Sequence, residues 1–142
     1  MISQGVKAGF GGAVVMSIST NLEMRLSGRE ASDAPAKALE RLFGIDLEDE
    51  RAEQALVATA HVATSASLGV VAAGLRRRLP PLVAGSFLLA ASLIPELVVV
   101  PALGAAEAPW KWSGKDTAQA VLHHAVYAVA TAGVLERLRG RD

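Results

Sequence analysis

Residues 82–106 read LVAGSFLLAASLIPELVVVPALGAA and hold one ionisable side chain, Glu96. More than about 18 mostly apolar residues suffice to cross a hydrocarbon core of roughly 30 Å. A helix of that length in water would show a charged face at a 3.6-residue period. Here the apolar character runs all the way round, so lipid is the expected solvent. The neighbouring sequence agrees. Residues 54–75 carry no formal charge and one histidine, His61, and residues 117–135 carry only His123 and His124. A fourth stretch, residues 5–22, has Lys7 near its start and is diluted by Ser17, Ser19, Thr20 and Asn21. One flanking lysine and no good Ala-x-Ala site make it a retained helix rather than a signal peptide. The expected fold is all-α, an integral membrane four-helix bundle forming a single domain over 1–142. Its spans lie near 5–22, 54–75, 82–104 and 117–135.

The composition fits one compact apolar unit. The chain has 142 residues, 51% hydrophobic and 20% charged, with aromatics at 4%, so Ala, Val and Leu fill the helices. A formal net charge of +0 argues against an electrostatic grip on nucleic acid. The absence of cysteine excludes disulfides, thiolate zinc sites and cysteine nucleophiles. No nucleophile–base pair, phosphate loop or cofactor fingerprint is present, so enzymatic chemistry ranks last among the function classes.

Basic residues set the orientation. Arg76, Arg77 and Arg78 end the second span, and Arg137, Arg139 and Arg141 follow the fourth. Arginines packed this closely against helix ends stay cytoplasmic. Both termini are then inside, in the inner membrane of a bacterium, and the 1–2 and 3–4 connections face out. Trp110 and Trp112 mark the outer headgroup level. In the outer loop, residues 23–53, Ser32-Asp33-Ala34-Pro35 starts a short amphipathic helix over about 33–43, and Gly44 stops it. Ala38, Leu39, Leu42 and Phe43 share one face. That helix lies on the membrane surface or over the bundle, or serves as a lid over a polar site. The acidic Asp46, Glu48, Asp49 and Glu50 suit the start of the next helix, where negative charge favours the dipole.

Small residues and an internal echo bear on packing. Gly5, Gly9, Ala13, Ser17 and Asn21 recur every four positions, a stripe along which helix backbones approach closely, within this chain or between copies. His61 precedes Arg76 by the same interval that separates His124 from Arg139. Ala8-Gly9-Phe10 is echoed by Ala84-Gly85-Ser86-Phe87. The halves therefore read as two helical hairpins, parallel repeats about an axis along the membrane normal.

Ionisable groups at bilayer depth cost a few kcal/mol and survive where paired or wet. Four are present: His61, Glu96, His123 and His124. Tyr127 and Thr131 extend the polar face below His123. With the spans centred as above, His61 and Glu96 lie roughly 6 Å outward of the middle and His124 about 3 Å. Either His123 or His124 is the inward one. Pro95 removes a backbone hydrogen bond beside Glu96, and Pro101 is expected to shorten the helix further. Three chemistries suit the set: proton exchange between Glu96 and a histidine; a divalent metal, zinc or iron, held by His61, Glu96 and His124; and haem between two histidines. Mutual satisfaction that only locks the bundle is the fourth reading.

Ser32-Asp33-Ala34-Pro35 with Leu39 and Leu42, the segment Glu96-Leu97-Val98-Val99-Val100-Pro101-Ala102-Leu103-Gly104, and His124-Ala125-Val126-Tyr127 resemble the YagU-like four-span inner-membrane proteins of bacteria. The resemblance covers most of the chain, and its distinctive part is the Glu-to-Pro-Ala-Leu-Gly segment. It implies a small multispan protein with no established enzymatic activity. Pro95 stands where the pattern has an acid and Ala128 where it has a glycine, so a paired-acid site does not transfer. The expected function is a proton- or cation-linked transporter or channel-like protein using His61, Glu96, His124 and Tyr127. The alternative is an accessory subunit that docks a partner through the outer loop.

Overall fold

A computed structural model describes residues 1–140, all helix and connection with no strand among them; Arg141, counted above in the cytoplasmic cluster, lies outside the described residues. Five helices form: α1 (Ile2–Ser27), α2 (Ala34–Phe43), α3 (Glu50–Leu75), α4 (Pro81–Ala102) and α5 (Gly114–Arg139). Local chemistry places their ends. Gly28 and Gly44 close α1 and α2 with positive φ, a conformation that costs glycine nothing. The Asp49 carboxylate accepts the Ala52 N–H at 3.1 Å and starts α3, so the acidic cluster does serve as a cap. Ser113 and Asp116 form a reciprocal capping box at the start of α5.

Three of the four long helices, α3, α4 and α5, are long and apolar enough to cross a membrane. α1 equals α3 and α5 in length, at 26 residues, but is not among these three. Lys7, the polar run from Ser17 to Asn21, and then Glu23 and Arg25 lower its apolarity. The first expected span, residues 5–22, therefore lies within a long helix of mixed character.

The interior is built mostly of small residues, with a few polar side chains among them, and many large apolar side chains lie on the outside. Its buried residues include Gly9, Gly12, Ala8, Ser65, His123 and Thr131. Large apolar side chains such as Ile18, Leu82, Phe87, Val98 and Val129 face outward. In water such a surface would be an adhesive patch; in lipid it is the ordinary exterior, and close packing of small residues is the ordinary interior.

α1 lies between α3 and α5 and runs antiparallel to both. A Cβ on Gly5 would sit 2.6 Å from the Val70 Cα, and one on Gly9 would overlap the Ser65 carbonyl, so α1 and α3 touch backbone to backbone. Gly12, outside the expected stripe, makes the corresponding approach to Tyr127 and Thr131 of α5. Of the stripe, Gly5, Gly9 and Ala13 are buried, and Ser17 is left facing a groove. α3 and α5 are parallel. The Tyr127 hydroxyl donates to the Ser65 carbonyl at 2.8 Å, and Arg139 donates to the Arg76 carbonyl at 2.9 Å. Met1, Arg76–Arg78 and Arg139 therefore gather at one end of the bundle, with Arg77 reaching the Met1 sulfur. α4 packs against α5 and, less extensively, α3.

The two halves are less alike than the sequence echo suggests. A two-fold axis would map the α1–α5 contact onto α4–α3, yet the first is extensive and the second slight. α2 fills the first connection, whereas the second holds only a short 3-10 turn, Pro109–Lys111. α2 lies over the bundle: Arg41 donates to the Leu103 carbonyl at 2.7 Å, capping the end of α4. Its buried residues are Ala36 and Ala38, while Leu42 and Phe43, expected to share a face with Ala38, are exposed.

Candidate functional site

Pro95 has no N–H and its ring crowds the preceding turn. The helix does not break there. It widens into a π turn over Pro95–Val99, in which the Val100 N–H bonds the Pro95 carbonyl, and then continues to Ala102. Pro101 likewise does not cut it short. Gly104, with φ of 69°, ends it, with the Gly104 N–H on the Pro101 carbonyl at 2.8 Å and the Ala105 N–H on the Val100 carbonyl at 3.0 Å. The inserted residue of a π turn rotates the side chains on it, and such turns concentrate at functional sites. Here the rotated acid is Glu96.

Glu96 Oε2 meets His124 Nε2 at 2.9 Å across the α4–α5 interface. The imidazole is nearly enclosed, with its side chain 12% exposed, whereas the carboxylate is 44% exposed. One partner is thus held by the bundle and the other is open to its surroundings. The His124 Nδ1 is buried without a hydrogen-bond partner. A proton arriving at Glu96 therefore has an adjacent base, and the resulting imidazolium has an adjacent carboxylate.

The other expected residues go elsewhere. His61 is close enough to His124 for the two imidazoles to interact electrostatically, but it lines a groove between α1 and α3 instead of joining Glu96. Among the described residues no three His, Asp or Glu side chains come together in a way that could hold a metal ion. The three-ligand set of His61, Glu96 and His124 is corrected to a two-residue pair, because His61 is turned into the groove between α1 and α3 while α4 and α5 meet directly. Tyr127, 1% exposed, spends its hydroxyl on the Ser65 carbonyl, so it ties α5 to α3 and stays out of the pair.

His123 and His124 both point into the protein, in different directions. Successive helical residues are separated by about 100°, so His124 faces α4 and His123 faces α1. His123 Nδ1 lies 3.0 Å from the Ser19 Oγ, and its Nε2 is 3.8 Å from Glu23 Oε2. Glu23 also takes a 2.8 Å ion pair from Arg29 and a hydrogen bond from Gln119. The Arg29 guanidinium, then the Ser27 hydroxyl, hold its carboxyl below the ordinary value. Ending the first span at residue 22 assigns Glu23 to a loop and hides this cluster. The signal was present as two four-residue steps, Ser19–Glu23 on α1 and Gln119–His123 on α5, each placing its pair on one helix face.

Comparison of the chain with protein-family models, with curated proteins and with solved structures finds no match.

Proposed function

We propose that this chain is a small multispan membrane protein that moves protons, or a cation exchanged for them, through the His124–Glu96 pair. The carrying observation is the 2.9 Å contact between an enclosed imidazole and a half-exposed carboxylate at a π turn in an apolar helix. A buried ionisable pair that served only to lock the bundle gains nothing from an exposed member. A proton site needs one, since the proton must enter and leave. With only two ligating side chains, the site suits a proton better than a divalent metal. The orientation belongs to the same reading: the termini and the arginine-rich end are cytoplasmic, in a bacterial inner membrane, and α2 with Trp110 and Trp112 is outside. The YagU-like resemblance, carried by Glu96–Gly104 and His124–Tyr127, supports a multispan protein and assigns no activity.

The test is proton flux into proteoliposomes under an imposed pH gradient. The native protein is expected to dissipate the gradient faster than empty vesicles, and Glu96→Gln to remove the difference. Equal flux from the native and Glu96→Gln proteins would end this reading.

An accessory role is the second reading, favoured by the outward Leu42 and Phe43 on α2. Apolar side chains at that position suit a docked partner or the headgroup region. Deletion of Ser32 to Gly44 would then release a partner that co-purifies with the full chain.

A further inference from the structure

A groove of about 490 Å³ opens between α1 and α3 on the side of α1 away from the His123 contact. Its origin is steric. Gly5, Gly9 and Gly69 hold the two backbones together at the arginine-rich end. Beyond Ala13 the α1 residues facing α3 carry full side chains, and the helices part. α1 lines the groove with two ladders of four-residue spacing. Phe10, Val14, Ile18 and Leu22 make one apolar. Ser17, Asn21 and Arg25 make the other polar, ending in a cation. Arg25 is exposed and its side chain forms no hydrogen bond or ion pair among the described residues, as is also true of Arg51, Arg78 and Arg137, but of these Arg25 is the one that lines the groove. The ladder's one charge is therefore left for something outside the protein.

Length identifies the ligand further. Phe10 to Arg25 is fifteen residues, roughly 22 Å of helix. One leaflet of a bilayer, headgroups included, is about half of the full 40–45 Å thickness. An apolar trough that long, ending in an unpaired guanidinium where the first expected span stops, matches a single phospholipid of one leaflet. Guanidinium pairs readily with phosphate. We propose that the groove binds an anionic phospholipid, its phosphate on Arg25, its ester region beside Asn21 and Ser17, and one acyl chain along the apolar ladder from Leu22 to Phe10.

 The acyl chain thus runs past Leu22, Ile18 and Val14 before it reaches Phe10. This assignment rests on the membrane reading above, and not on proton movement.

The full-length protein in detergent, titrated with phosphatidylglycerol or phosphatidylcholine and examined by native mass spectrometry, tests it. The native chain is expected to retain phosphatidylglycerol several-fold over phosphatidylcholine. Arg25→Gln should bring that ratio to about one, and Val14→Trp, which fills the trough, should lower retention of both lipids. Equal retention of the two lipids by the native chain would overturn the proposal, as would an unchanged ratio in Arg25→Gln. Displacement of the phospholipid by equimolar palmitate would overturn it in favour of a free fatty acid. A chain that stays monodisperse without detergent would instead overturn the membrane reading itself, while unchanged proton flux in Glu96→Gln would end the proton reading and leave the lipid result untouched.

Discussion

The two faces of α5 use similar residues for different ends. Toward α1, Tyr127, Thr131 and His123 are all at least 95% buried and packed against glycine and serine. Toward α4, His124 meets an acid that is 44% exposed, on a helix turn widened by proline. Adjacent histidines, each near a glutamate, therefore sit in a packed seam and at an open one. Burial and backbone geometry, more than residue type, separate a contact that holds the fold from one that can exchange a proton.

The strongest way to break the contrast is to crowd the packed seam. A Cβ at Gly12 would overlap the Thr131 hydroxyl and lie 2.9 Å from the Tyr127 ring. Thr131 can turn aside from a methyl, but a leucine must displace the ring. Gly12→Leu is expected to destabilise the protein by about 3 kcal/mol, the upper part of the usual overpacking range. Reversible unfolding in mixed micelles measures it, and a change below about 1 kcal/mol would mean that α1 and α5 are not held at this separation.

Removing one hydrogen bond from the same seam is milder. Tyr127→Phe leaves the Ser65 carbonyl without its buried donor, at a cost of about 1–2 kcal/mol. Proton flux per folded molecule should be unaltered, since the hydroxyl does not touch the His124–Glu96 pair. A flux defect at full stability would return Tyr127 to the site.

Acid sharpens the comparison at the outer end of the seam. Because Arg29 and Ser27 lower the pKa of Glu23, the folded state binds that proton less readily than the unfolded state. Its stabilising contribution is present above the ordinary value of 4.5 and is lost as pH falls through the lower folded value. The native chain should thus be more stable than Glu23→Gln at neutral pH, and the two should converge in acid. Thermal unfolding of both across pH 3 to 7 reads this, and a constant gap would show that the Glu23 charge is not what holds the seam.

Much of this arrangement was legible in local pattern. Residues 82–106 announce an apolar helix because charge is missing over its whole circumference, and Ser32–Gly44 announces α2 because cap and stop are short-range signals. Gly5 and Gly9 mark a close approach because only a missing side chain permits one. The partners of the polar residues were not legible. Whether His61 or His123 meets an acid depends on which helix lies between, and four-residue spacing says nothing of that. The effect of Pro95 was also hidden: a missing N–H is equally compatible with a kink, a break or a π turn, and the surrounding packing selects among them.

The smallest effect on stability should accompany the largest loss of function. Glu96→Gln keeps the side-chain length and leaves an amide that can still pair with His124. With the side chain 44% exposed, the fold is expected to change by less than about 0.5 kcal/mol. An amide cannot take up a proton near neutral pH, so flux is lost while unfolding is unchanged. The packed seam must show the opposite, stability lost and flux per folded molecule kept. If Glu96→Gln unfolds the protein as readily as Gly12→Leu does, then the open face of α5 is structural as well, and the distinction between its two histidines disappears.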